Sequence, residues 1–220
     1  MRRRHPPSPA ADRPGRPGRP GRPRSAAADT AILEATRAAL VELGWSKLSM
    51  SDVASRAGVA KTTLYRRWPG KNELVVDAVA VLFDELELPD RGSLAADVEG
   101  VVRQFAALLE RPEAKTALMA VVAESTRDEP LRARIGASIV ERQKRLVLEG
   151  RARAQARGEL PAAPEGSPPG AGSAADDLVF DVIAGAVVHR TLVSGRPIDT
   201  EWVRRFTALL LGGLGAAAVG

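Results

Sequence analysis

The sequence predicts an all-α protein, and three observations carry that expectation. From about residue 29 onward apolar residues recur at three- and four-residue spacing, no run of alternating β-branched residues occurs, and the periodic stretches are broken at glycine and proline. With 220 residues, 45% of them hydrophobic, the chain is long enough to bury a substantial core. It contains no cysteine, which excludes a disulfide scaffold, thiolate metal sites and a cysteine nucleophile and fits a reducing compartment.

Residues 1–24 stand apart. They carry eight arginines against one aspartate, a net charge of +7, so the remaining chain is slightly acidic within a total of +5. They also hold seven of the sixteen prolines and repeat Gly-Arg-Pro three times over 15–23. Such a segment lacks the apolar residues that would offset its ordering entropy, so it is expected to be a disordered or polyproline-like basic arm. Proline and arginine also occupy the place where a secretory signal would need an apolar stretch. The glycine-broken run from Phe206 to Gly220 is too short to span a bilayer. A soluble, cytoplasmic protein without a membrane partner is the expectation.

The first helix follows Asp29 or Thr30 as N-cap, with Ile32, Ala35, Ala39, Leu40 and Leu43 on one stripe and Gly44 as its stop. A short second helix is expected to open at Ser51, with Asp52 in its first turn, and to end before Gly58. A third covers Lys61 to Trp68, closed by Pro69-Gly70. A fourth starts at Lys71 and places Leu74, Val75, Ala78 and Leu82 on one side. Longer helices are expected near 93–110, 113–125, 128–157, 176–194 and 199–216, with a flexible loop near 159–175 rich in proline, glycine and serine. The expected division is an arm (1–24), a three-helix domain (25–77) and a larger helical domain (78–220).

The stretch from Met50 to Trp68 carries the functional signal. Two short helices that meet steeply across a three-residue turn need a small residue where their backbones approach, which Ala54 supplies, and a left-handed residue in the turn, which Gly58 supplies. Val53, Ala57, Val59 and Leu64 fall where they would lock the pair. This is a helix-turn-helix, and its second helix is the recognition helix. Leu64 and Trp68 point inward; Lys61 and Tyr65 share an outward stripe with Thr62 and Arg66 beside them and Thr63 and Arg67 at the flank. These side chains suit phosphate attraction, guanine contact and the thymine methyl. Residues 45–72 hold six basic residues against the single acid Asp52. Lys71 at a helix start opposes the helix dipole, which makes sense beside a phosphate. A solvated basic helix in an ordinary bundle is the alternative for the charges alone.

On these residues the chain resembles the tetracycline-repressor (TetR) family of bacterial transcription regulators. The resemblance is close over Thr30 to Val76: Glu-Leu-Gly-Trp at 42–45, Leu-Ser-Met-Ser-Asp-Val-Ala-Ser-Arg-Ala-Gly-Val at 48–59, and Lys-Thr-Thr-Leu-Tyr-Arg-Arg-Trp-Pro-Gly-Lys-Asn-Glu-Leu at 61–74. Ala60 departs from it, because the family usually has a serine capping the recognition helix there. The resemblance implies a homodimeric repressor that binds a palindromic double-stranded DNA operator and is released when a small-molecule effector enters the C-terminal helical domain. It implies DNA contacts from Arg22, Arg24, Ser51, Lys61, Thr62, Thr63, Tyr65, Arg66 and Lys71. The last two long helices would form the dimer, with Trp202, Phe206, Leu210 and Leu214 on one stripe, although intrachain core suits each of these equally. Pocket candidates are Phe105, Leu109, Met119, Val122, Phe180 and Ile183, all apolar, which favours an apolar or aromatic effector; core packing is the competing role. His189, among Val187, Val188 and Leu192, is expected to be a buried, hydrogen-bonded histidine, with effector contact as the alternative.

Two other functions compete with this one. An architectural DNA-binding protein dominated by its arm would show poor sequence selectivity and no effector. An enzyme has little support: with no cysteine, His5 in the arm and His189 alone, no triad or metal cluster assembles, and the glycine-rich stretches do not follow a strand. No metal or cofactor is expected. The arm itself is either a tail with incidental phosphate affinity or, through Arg22 and Arg24, a minor-groove arm. It lacks the Arg-Gly-Arg-Pro core of an AT-hook. Deleting residues 1–23 is expected to weaken DNA binding and flatten its salt dependence while leaving operator choice intact, because phosphate contacts set the slope. Titrations at several salt concentrations check this, and an unchanged slope contradicts it.

Overall fold

Ten α-helices make up the computed structural model, which describes residues 26–162 and 174–217. The arm with Arg22 and Arg24, and most of the 159–175 segment, lie outside the described residues; no strand occurs among the described ones. Helix α1 (Ala26–Lys47) breaks at Gly44, where φ is 72°, so the expected stop is the point at which the chain turns. Helix α2 (Met50–Arg56) begins one residue before Ser51 and is capped by Ser49, whose Oγ accepts the Asp52 N–H at 3.2 Å. The N-cap expected at Ser51 is thereby corrected. Ser49 stands three residues ahead of Asp52, the spacing of a capping box, and its hydroxyl returns a bond to the Asp52 carboxylate.

Helix α3 (Lys61–Tyr65) is five residues long, and helical hydrogen bonding continues beyond it to Trp68, whose N–H reaches the Leu64 carbonyl at 3.0 Å. Helix α4 (Lys71–Phe83) buries Leu74, Val75, Val76, Ala78, Val79, Ala80, Leu82 and Phe83, so nearly every side of it is covered. Helices α5 (Leu94–Glu110), α6 (Pro112–Ser125), α7 (Glu129–Ile135), α8 (Glu141–Ala156), α9 (Ala174–Val188) and α10 (Thr200–Ala217) form the larger helical domain. Two π turns interrupt the expected long helices, Gly136–Val140 between α7 and α8 and His189–Val193 after α9. One apolar cluster runs without a break from Ile32 through α4, α5 and α6 to Leu210.

Four polar contacts run along α4. Asn72 donates to Asp128 (2.7 Å), Arg134 to Asp77 (3.0 Å), Gln143 to the Phe83 carbonyl (3.0 Å) and Arg142 to Asp84 (2.5 Å). Positions 72, 77 and 83–84 meet 128, 134 and 142–143 in turn, so α4 and the α7–α8 helix run side by side in the same direction. The π turn falls inside this series. By adding a residue to one turn it rotates α8 relative to α7 and lets both meet the same neighbour.

Asp97 organises the far end of this domain. Its side chain has no exposed surface and accepts the Arg91 N–H at 2.7 Å and Arg157 at 2.8 Å, with Arg153 at 3.7 Å. Glu159 pairs with the same arginine and accepts the Leu94 N–H at 2.7 Å, so the beginning of the expected loop is tied down. Burial pushes the Asp97 carboxyl up, but Arg157, the Arg91 N–H and Arg153 outweigh it and hold it below the usual carboxylate range. A depressed folded value contributes stability above the unfolded pKa of about 3.9 and loses it as pH falls through the folded one. Asp97→Asn is therefore expected to cost about 2 kcal/mol at pH 7, with the gap from wild type closing below about pH 4. Urea unfolding at pH 7 and at a pH well below the usual carboxylate range checks this; an equal gap at both contradicts it.

Candidate nucleic-acid interface

The helix-turn-helix is built as its residues require. Val53 and Ala54 on α2 and Leu64 on α3 are buried, and the Val59 N–H donates back to the Ala54 carbonyl at 3.0 Å, closing the turn over the smallest side chain available. Gly58 has φ 65°, a conformation that would strain any residue with a Cβ. At the end of α3 Trp68 is buried, and its indole N–H donates to Asp77 on α4 at 2.9 Å.

With Leu64 and Trp68 inward, the opposite face of α3 is left to solvent. Lys61, Thr62 and Arg66 are exposed, Tyr65 is 50% exposed, and Thr63 is half-buried at the flank. Ser51 sits half-buried in the first turn of α2. The six basic residues of this region do not act alike. Arg56 pairs with Glu42 at 2.7 Å, and its hydrogen bond holds the Glu42 carboxyl below the usual range. Arg67 pairs with Asp29, tying the end of α3 to the start of α1. Lys71 donates to the Trp45 carbonyl at 3.0 Å and lies over the Trp45 ring at 4.8 Å, so this lysine fastens α4 to the end of α1. Among the described residues Lys61 and Arg66 keep unpaired, exposed charge on the α3 face itself. An open groove of about 360 Å³ beside it is lined by Asp29, Arg66, Arg67, Trp68 and Asp77.

The effector candidates are not gathered in one place. Phe105 and Leu109 are buried, the former with its ring 5.8 Å from that of Phe83, and both belong to the continuous core. Met119 and Val122 face solvent, 44% and 46% exposed. Phe180 and Ile183 are half-buried on α9. His189 is exposed, with its Nδ1 3.3 Å from the Ser194 hydroxyl, which corrects the expectation of a buried histidine: it stands two residues past the buried Val187 and so faces the other side of the helix. Phe206 and Leu210 are buried within their own chain, where α10 packs on α5. Trp202 is half-buried, stacked on Phe206 at 5.0 Å, with the Arg190 guanidinium over its ring at 5.0 Å. The side chain of Leu214 lies outside the described residues. The apolar surface of α9 and α10 is instead carried by Leu178, Val182 and Leu209, none of them singled out by helical periodicity.

This arrangement of buried hinge and exposed recognition face defines a helix-turn-helix DNA-binding protein, and comparison with known proteins agrees. Residues 32–78 match the family described as bacterial regulatory proteins, tetR family, and residues 88–210 match the tetracyclin repressor-like C-terminal domain. The chain is 30% identical over 181 residues to the HTH-type transcriptional regulator Rv1556 of Mycobacterium tuberculosis, covering 80% of this chain and 82% of that one. Its fold is similar to the crystal structure of the TetR family transcription regulator SCO0332, with a TM-score of 0.65 and 27% identity over 84% of this chain and 97% of the other. It is also similar to the flavonoid-responsive regulator FrrA, with a TM-score of 0.61 and 20% identity over 86% and 96%. The chain belongs to the TetR family of DNA-binding transcriptional regulators.

Ala60 caps α3 without a side-chain hydrogen bond. Ala60→Ser is expected to raise stability by about 1 kcal/mol in urea unfolding; no gain would show that the N–H groups there are satisfied otherwise. Lys61→Ala and Tyr65→Ala are expected to lower DNA affinity about tenfold or more with helical content and melting unchanged. Loss of helical signal in these variants would contradict the assignment of an outward face.

Proposed function

We propose that the protein is a homodimeric repressor that binds a palindromic operator and leaves it when a small-molecule effector binds the C-terminal domain. The observation that carries this reading is the uncovered face of α3, where Lys61, Thr62, Tyr65 and Arg66 stand together away from the core. A single such face reads one half-site. Two copies joined through the C-terminal helices would place two of them about 34 Å apart, one turn of DNA. Ser51 and Thr63 flank the groove-facing side chains, and the remaining donors of Lys71 reach the phosphate backbone. Arg22 and Arg24, just ahead of α1, enter the adjacent minor groove.

For the dimer, the burial of Phe206 and Leu210 moves the proposed contact to the other side of the same helices. Leu178 and Val182 lie one turn apart on α9, and Leu209 on α10 is 76% exposed beside the uncharged Ala208, Gly212 and Gly213. Small residues around a large one let two helices approach closely, and burying three exposed aliphatic side chains per copy supplies the driving force. The effector is proposed to be apolar or aromatic. Phe180 and Ile183 are its nearest contacts, and Phe105 and Leu109 yield space by repacking. A flavonoid-responsive relative with the same fold is consistent with such a ligand.

Leu209→Glu tests the dimer. The variant is expected to sediment as a monomer and to lose DNA affinity by about a hundredfold, because two linked half-sites bind far more tightly than one. A variant that remains dimeric, or a monomer that binds as well as wild type, would overturn the interface.

A further inference from the structure

The Asp77 carboxylate divides its two oxygens between two parts of the fold. Oδ2 accepts the Trp68 indole N–H at 2.9 Å, and Oδ1 accepts Arg134 Nη2 of α7 at 3.0 Å. Trp68 ends the recognition helix, Asp77 lies in the middle of α4, and Arg134 belongs to the larger domain. We propose that Asp77 is a positioning residue for DNA recognition, which orients α3 through Trp68 and is itself oriented from the C-terminal domain by Arg134.

Three features support this. Trp68 has its ring buried on the side of α3 away from the exposed Lys61 and Tyr65, so its bond to Asp77 controls how far the reading face stands from α4. A short helix without a side-chain cap has little rigidity of its own, so the Trp68–Asp77 bond at its far end, beside the Arg67–Asp29 pair, carries orientation. The second tether is close by: Asp128 accepts the Leu131 N–H at 2.9 Å to cap α7 and takes Asn72 of α4 with its other oxygen at 2.7 Å. Helix α7 therefore holds α4 at residues 72 and 77. A displacement of α7 by a fraction of a turn must break these bonds or carry α4 and Trp68 along. Both bonds end on the same carboxylate, but only Arg134 brings an opposite charge to it. Removing Arg134 frees the half-exposed carboxylate to turn toward water and leaves the indole without a fixed acceptor.

The inference rests on α3 being the helix that reads DNA, and the test separates the two. The probe is a duplex selected from a random pool by the full-length wild-type chain; failure to select any duplex would remove the reading itself, whatever the state of Asp77. With the duplex in hand, affinity is measured by fluorescence anisotropy for Trp68→Phe, Arg134→Met, their double variant and Arg134→Lys. The Trp68 indole N–H resonance, assigned by its disappearance in Trp68→Phe, is followed in nitrogen-15-labelled protein without DNA. Each single variant is expected to lose affinity about tenfold, the double variant to be no worse than the weaker single, Arg134→Met to shift the indole resonance, and Arg134→Lys to recover part of both. Multiplying losses in the double variant, or an indole resonance and affinity unchanged in Arg134→Met, would overturn the proposal. If Arg134→Met does not fold, Asp77→Asn replaces it. That variant keeps an acceptor for the indole and removes the charge that holds Arg134, with the same outcomes expected and excluded.

Discussion

The recognition helix depends on α4. A helix of five residues whose N-cap is an alanine cannot hold its own conformation in water, since helix nucleation is unfavourable and so short a segment repays it with few hydrogen bonds. What holds α3 is the burial of Leu64 and Trp68, the Trp68–Asp77 bond and the Arg67–Asp29 ion pair. Leu64 packs where α3 meets α2, and the Trp68–Asp77 bond ends on α4, which is itself buried on almost every side and fastened by four polar contacts to α7 and α8. Arg37 of α1 reaches the Ala78 carbonyl and Lys71 the Trp45 carbonyl, so the first helix is held to the same axis. Rigidity is thus lent to the DNA-reading surface from the larger domain.

The distribution of charge follows from that arrangement. Basic residues around a helix-turn-helix serve two purposes, and geometry separates them. Arg56, Arg67 and Lys71 are engaged in fastening α1, α2, α3 and α4 to one another, which leaves Lys61 and Arg66 as the exposed cations at α3 without an ion-pair partner among the described residues. Single ion pairs and polar contacts near the surface contribute little stability apiece. Their value lies in fixing the angles between short helices, which apolar contacts alone leave loose.

Much of this was legible from residue spacing because it is local. The stripe from Ile32 to Leu43, the break at Gly44 and the turn at Gly58 all act within a few residues of where they are written. The inward Leu64 and Trp68 and the outward Lys61 and Tyr65 follow from the helical period. Other features escaped for stated reasons. Ser49 and Ser51 both suit an N-cap, and only the return bond to Asp52 separates them. His189 has apolar neighbours in sequence on both sides, which hides that it lies about half a turn round the helix from the buried Val187. The stripe of Trp202, Phe206 and Leu210 shows that α10 has an apolar side but not which neighbour covers it; here that neighbour is α5, and Leu209 on the other side was overlooked. Asp77, whose partners lie 9 and 57 residues away, carries no local signature at all.

The central claim is that α3 has no independent stability and takes its position from α4. Amide hydrogen exchange of the free protein measures this directly. If the claim holds, the Leu64 and Trp68 amides open with the same free energy as the Val76 and Val79 amides of α4, because the two helices are lost together. Amides of α3 that exchange freely while those of α4 remain protected would show a recognition helix that unfolds by itself, and would contradict the account.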